Sequence, residues 1–308
     1  MRARLACARV QDADPLPAEA ALALGNLDRV DGRFAEALRR FRLAAADPAS
    51  AALAEVGMGK VEAARGQPDR ARSHFQAALD VAPDDAQVRA EVGFQAYRDG
   101  RLEDATASYR RALELAPDNA GYWNTYGFLW LLQGNAAEAA RAFERSIAIE
   151  PSADVLANFA TLRSQAGEHD AALALYRRAL ELDPEDYLNW GNLADGLAAS
   201  GAPASEVAAA YAEAERRVRR YLALDAGSGY AMAALGWYSA NLGRREEALS
   251  MVARARVAEH GDPAEIALYN AETLSLLGDA AASERELARA RTSGMAEARI
   301  RASPVLGQ

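Results

Sequence analysis

Lysine is almost missing from this chain. Of 35 basic residues one is a lysine, Lys60, and the arginines that make up the rest are scattered singly or in pairs. With no basic run and a formal net charge of -9 at pH 7, a polyanionic partner is disfavoured, because a nucleic-acid binder needs a concentrated basic patch that releases counterions. Cysteine is as scarce. Cys7 alone excludes an internal disulfide framework and a cysteine-rich zinc site. His74, His169 and His260 stand apart, with no second histidine at helical spacing, so no metal and no cofactor is expected. Long apolar runs are also lacking. The most apolar stretch, YGFLWLLQG at Tyr126 to Gly134, lies in a segment without charges that is diluted by Asn124, Thr125, Gln133 and Asn135. It falls short of the roughly 18 consecutive apolar residues of a membrane span. The N-terminal MRARLACARVQDADP has a basic start, but its apolar part is broken by Arg4 and Arg9 and is too short for a secretion signal. A soluble, cytoplasmic protein is the expectation, with a mean hydropathy of -0.21.

Signatures of catalysis are absent as well. GMGK at Gly57 to Lys60 resembles part of a phosphate loop, yet Ala54 stands where the first glycine is needed and Val61 where a serine or threonine is needed. The segment also reads as helix interior rather than as the turn after a strand. No GxSxG occurs, and Cys7 has no histidine placed by sequence to activate it. The chain is expected not to be an enzyme.

What is present is a returning glycine. Gly32, Gly66, Gly100, Gly134, Gly167, Gly201, Gly243 and Gly278 follow one another at spacings of 34, 34, 34, 33, 34, 42 and 35 residues. Seven residues before each sits a second small residue: Gly25, Gly59, Gly93, Gly127, Ala160, Ala194, Gly236 and Ala271. After the turn glycine come an alanine and then a large residue, as in Ala37 and Phe41, Ala71 and Phe75, Ala105 and Tyr109, Ala139 and Phe143, Ala172 and Tyr176. Prolines close five of the periods, at Pro48, Pro83, Pro117, Pro151 and Pro184. Each period thus holds two apolar stretches at helical spacing, parted by a glycine that can end the first helix in the left-handed conformation. A glycine inside a helix costs about 0.5–1 kcal/mol relative to alanine, so its recurrence needs an offsetting gain, and close helix–helix approach supplies one. Proline after the second helix resets the chain for the next hairpin.

This pattern resembles the tetratricopeptide repeat, whose signature places Trp, Leu, Gly and Tyr in a first helix and Ala, Phe, Ala and Pro in a second. YWNTYGFLWLLQGNAAEAARAFERSIAIEP, Tyr122 to Pro151, and LNWGNLADGLAASG, Leu188 to Gly201, carry it best. The resemblance implies an all-α fold, a right-handed α-solenoid of about eight tetratricopeptide helix-turn-helix repeats over residues 18–294. Residues 1–17 fit the remnant of a preceding repeat, and residues 295–308 a capping helix and tail. In the sixth repeat the 42-residue spacing and the sequence EVAAAYAEAERRVRRYLALDAG read as a lengthened second helix, with Glu213 and Arg217, and Glu215 and Arg219, spaced as pairs on a solvated charged face.

The resemblance further implies a protein–protein interaction scaffold that holds a peptide or a helical segment of a partner protein in the concave groove lined by first helices. Carried over residue by residue, it assigns Trp123, Tyr126, Gly127 and Trp130 to the core. Asn124, Thr125, Phe128, Leu131 and Leu132 face the groove, as do Lys60, Glu91, Phe94, Tyr97, Arg98, Asn158, Thr161, Gln165, Asn192, Asp195, Tyr230 and Trp237. Partner binding is expected to centre on Phe94, Tyr97, Arg98, Asn124, Phe128, Leu131, Asn158 and Asn192. Asn158 and Asn192 hold the same position in successive repeats, where amide side chains can grip a backbone without reading its sequence. The lysine-based clamp for a C-terminal carboxylate is excluded by the shortage of lysine. The repeat region also resembles those attached to bacterial serine/threonine kinases and winged-helix transcriptional regulators, which gives a second expectation, a sensor or docking region whose effector lies on another chain. Self-association through the terminal repeats is a further expectation, since the end of an array exposes a helix face.

Overall fold

Helix hairpins follow one another along the chain, one per period. The computed structural model describes residues 16–258, 260–301, 303 and 305–306, and among these are seventeen helices and no strand. The first three hairpins are α1 (Ala18–Val30) with α2 (Phe34–Ala44), α3 (Ala51–Ala64) with α4 (Pro68–Val81), and α5 (Ala86–Arg98) with α6 (Leu102–Leu115). Then come α7 (Ala120–Leu132) with α8 (Ala136–Ile149), α9 (Ala153–Gln165) with α10 (His169–Leu182), and α11 (Tyr187–Ala199) with α12 (Ala204–Leu224). The last two are α13 (Gly229–Asn241) with α14 (Arg245–Ala255) and α15 (Pro263–Leu276) with α16 (Ala280–Thr292), followed by the short α17 (Glu297–Arg301). The remnant repeat expected over residues 1–17 falls almost wholly outside the described residues.

Contacts divide the chain into two compact units. One holds residues 16–96 together with Glu103–Pro117; the other holds Tyr97–Leu102 and the described residues from Asp118 onward.

The turn glycines act as the sequence requires. Gly134 has φ 74°, its N–H donates to Leu131 O at 3.0 Å, and Asn135 N–H donates to Trp130 O at 2.9 Å. These two bonds form a Schellman closure, which needs a left-handed residue at this point. The seven other periodic glycines have φ between 70° and 79°. The new helix then starts on a side-chain cap: Asn135 Oδ1 accepts from Glu138 N at 3.3 Å. First helices are capped in the same way, by Asn119, Ser152, Asp186, Ser228 and Asp262.

The small residue seven places before the turn marks a close approach. A Cβ added at Gly127 would lie 2.7 Å from Phe143 Cδ1, so the ring packs directly on the α7 backbone. Phe41, Phe75, Tyr109, Phe143 and Tyr176, the large second-helix residues, are all buried.

Residues one period apart occupy equivalent places. In the first unit Arg111 pairs with Asp84 at 2.6 Å, and in the second Arg145 pairs with Asp118 at 3.0 Å, the same contact 34 residues on.

The lengthened second helix is α12, with 21 residues. Its charged residues do more than face water. Glu215 is only 9% exposed and is held by Arg219 at 2.7 Å and by Arg244 of the next hairpin. Arg217 stacks on the Trp190 ring at 4.5 Å and donates to Pro184 O at 2.5 Å. The expected solvated face is therefore corrected: the extra turns of α12 reach back to the fifth–sixth connection and forward to the seventh hairpin, and their charges tie these together.

Candidate functional site on the first helices

In the second unit the first helices α7, α9, α11, α13 and α15 lie in succession. Asn158 Nδ2 on α9 donates to Asn124 Oδ1 on α7 at 3.0 Å, across 34 residues of sequence. The sequence pairs Asn158 with Asn192; the structure adds Asn124 to the row. Asn192, half-buried on α11, makes no side-chain hydrogen bond within the described residues. Next to this polar row is an aromatic contact. Tyr97 and Phe128 meet edge to face, with centroids 5.8 Å apart and planes at 78°. Leu131 and Phe128 are half-buried against the cluster around Phe143 and Phe159. Arg98 pairs with Asp262 at 3.1 Å. Phe94, in the first unit, is 43% exposed. In that unit Lys60 pairs with Glu91 at 2.6 Å.

Several residues assigned by register behave differently. Leu132, expected on the groove side, is buried. The fully buried residue of α7 is Leu129, to which the repeat pattern gives no role. Trp123, Tyr126 and Trp130, expected in the core, are half-buried and form an edge-to-face column with centroids 6.1 and 5.9 Å apart. Asp195 is not a free groove carboxylate. It accepts from Tyr211 Oη and from Trp237 Nε1, the latter at 3.2 Å. Burial pushes its carboxyl up to about 6, against the opposing effect of those two donors. Trp237 is buried, and Tyr230 packs edge to face on Tyr269 at 5.2 Å. Burial likewise pushes the Tyr97 hydroxyl up to about 12, with Glu265 adding to the effect.

The segment after α16 explains much of this covering. At Gly294, φ 97°, the chain turns back onto the first helices. Arg299 pairs with Glu265 at 3.5 Å and acts on Glu272, Tyr269 and Tyr97. Ser303 is buried, and its hydroxyl accepts from Val305 N and Leu306 N at 3.3 Å. Ile300, Met295 and Leu306 pack on Leu268, Ala271 and Leu287, while Val305 packs on the cluster containing Trp237 and Tyr238. The seat of this segment has no counterpart in the sequence pattern: no periodic signal marks a segment that leaves the repeat.

Among the described residues no three His, Cys, Asp or Glu side chains come together as metal ligands, and no helix is long and apolar enough to cross a membrane. His74 is bonded to Glu55 at 2.7 Å and His260 to Asp225 at 2.8 Å, each a pair joining neighbouring elements.

A helical-repeat solenoid whose first helices form a polar and aromatic wall is thus defined, and known proteins give its repeats a family. Residues 56–120, 93–154 and 153–186 match models of the tetratricopeptide repeat. Residues 56–186 thus match tetratricopeptide repeats, and the described hairpins stack as an α-solenoid. Among solved structures, a tetratricopeptide repeat protein from Parabacteroides merdae ATCC 43184 has a TM-score of 0.59 at 14% identity, over 87% of this chain and 98% of its own. A chain of the APC/C hetero-tetramer Cut9-Hcn1 has a TM-score of 0.57 at 19% identity, over 77% of this chain and 46% of its own. Both are similar in fold. No curated protein matches the chain.

Proposed function

We propose that this chain is a non-catalytic scaffold that binds an extended segment of a partner protein along its first helices. Asn124, Asn158 and Asn192 bond the segment's backbone, while Tyr97, Arg98, Phe128 and Leu131 take its side chains; Phe94, in the first unit, is given the same role by its repeat position. The observation that carries this reading is the Asn158–Asn124 hydrogen bond. Amides of two neighbouring hairpins come within bonding distance of one another, and Asn192 holds the same repeat position one hairpin further on. An amide side chain offers two donors and an acceptor, which suits it to the alternating N–H and C=O groups of an extended backbone. Adjoining half-buried rings supply apolar area, and aromatic anchors of this kind dominate interface energetics.

Photo-crosslinking tests the reading. A benzoyl-phenylalanine placed at Phe128 is expected to trap a partner polypeptide in its native cells, and one placed at the exposed Arg141 on α8 is expected not to. Trapping from Arg141 but not from Phe128 would overturn the assignment of the first helices as the binding face.

A further inference from the structure

The wall of the last two hairpins is already occupied, and by this chain's own residues. Asp262, Glu265 and Glu272 bring carboxylates to one side of α15, with Tyr97, Tyr230 and Tyr269 around them. Arg299 enters this group, 3.5 Å from Glu265 and with about a quarter of each side chain exposed. We infer that this acidic, aromatic cradle recognises an arginine carried on an extended partner segment, and that Arg299, anchored by Met295, Ile300 and Val305, fills it until such a segment displaces it. This rests on the proposal that partners bind along the first helices.

Three features support the inference. First, the cradle needs a cation. A carboxylate withdrawn from water without a counter-charge is strongly destabilised. Burial raises the Glu272 carboxyl, and Arg299 works against that rise. A segment that displaced Arg299 without replacing its charge would leave Glu265 and Glu272 uncompensated, so only a cationic competitor fits. Second, the tyrosines favour arginine over lysine, because a planar guanidinium packs on ring faces and bonds carboxylates in a fork. Third, the occupant is built to leave. Its helix α17 has 5 residues, too short to persist by itself; Ile300 and Leu306 rest on one cluster and Val305 on another, Arg299 pairs with Glu265, and the segment is tied to α16 by the Met295 N–H to Ala290 O bond at 2.9 Å and the Arg291–Glu297 pair at 2.6 Å.

The test uses a fluorescent peptide of sequence MAEARIRASPVL, residues 295–306, titrated into the full chain. Wild-type protein is expected to bind it weakly, since the intramolecular copy competes. Arg299→Glu repels the chain's own segment from Glu265 and should tighten peptide binding at least about tenfold. Ile300→Asp lifts the same segment without touching the cradle and should do likewise. Adding Glu272→Gln to either variant should reverse the gain, and a peptide with alanine at the Arg299 position should not bind. Peptide affinity no higher in Arg299→Glu and Ile300→Asp than in wild type, or equal binding of the alanine peptide, overturns the inference. If these fail while Phe128 still crosslinks a partner, the cradle is wrong and the wider binding face stands; if both fail, both fall.

Discussion

Asn158 on α9 gives a side-chain N–H to Asn124 on α7 at 3.0 Å, one repeat earlier in the chain. This bond joins two hairpins through groups on the face where a partner would lie. It makes a small contribution to the fold. A net hydrogen bond of this type is worth about 0.5–1.5 kcal/mol, and both amides are partly exposed, so water can replace either. Asn158→Ala is therefore expected to lower stability by about 1 kcal/mol or less in urea denaturation, while weakening partner binding about tenfold. A variant that loses stability heavily and keeps its partner would show the pair to be structural only.

Two glycines of the fourth hairpin separate packing from backbone strain. At Gly127 a Cβ would lie 2.7 Å from the Phe143 ring; at Gly134, φ 74°, nothing lies within 4 Å. Gly127→Ala gains up to about 1 kcal/mol of helix propensity but is overpacked, at a cost of about 1–3 kcal/mol. Gly134→Ala meets no atom, yet the left-handed conformation costs it about 1–2 kcal/mol. Both should unfold at lower urea concentration than wild type. Gly127→Ala should also shift the near-ultraviolet signal of neighbouring rings, which Gly134→Ala should leave unchanged.

Asp195 sets a pH dependence. Its folded carboxyl is raised from 3.8 to about 6 by burial, so the folded state holds the proton more tightly than the unfolded chain. The stability this confers is fully present below the unfolded value and is lost as pH rises through about 6. Asp195→Asn keeps an acceptor for Tyr211 and Trp237 without the charge. Relative to wild type it should gain stability between pH 4 and pH 7.5, by up to about 3 kcal/mol, read from urea midpoints at the two pH values. A stability difference that does not change with pH would contradict the burial of this carboxylate.

Glu215 joins α12 to the seventh hairpin through Arg244, while Arg219 of α12 pairs both with Glu215 and with Glu247 of that hairpin. Both arginines are more than 40% exposed, so removing the acid leaves cations that water can solvate. Glu215→Ala should therefore cost about 1–2 kcal/mol rather than the full penalty of a stranded buried charge. Added salt should narrow the difference from wild type.

How much of this the sequence discloses depends on the range of the contact. Gly134 and Gly127 are legible, because a left-handed turn and a ring packed against a backbone each demand one residue type at one place in every period. The same holds for Phe143 and for the long α12. Leu132, Asp195 and Trp237 are misplaced by register alone. Their surroundings are set by how neighbouring hairpins lean together: Asp195 finds its donors on α12 and on α13, 42 residues away. Arg299 and Val305 carry no periodic signal, and their seat against Glu265 and the α13 cluster is a contact no repeat rule encodes. Among the candidate partner residues, the shared position of Asn158 and Asn192 could be read from spacing, but the bond from Asn158 to Asn124 is not. The ion pair from Arg98 to Asp262 could not, since 164 residues separate its members.

Hydroxyl-radical footprinting of the chain, alone and with a bound partner, tests most directly whether first helices form the binding face. Oxidation of Phe128, Leu131 and Tyr97 should fall on binding, while the exposed second-helix residues Leu182, Tyr221 and Leu224 keep their reactivity. Protection of Leu182, Tyr221 and Leu224 with Phe128 and Leu131 unchanged would place the partner on the opposite side and contradict it.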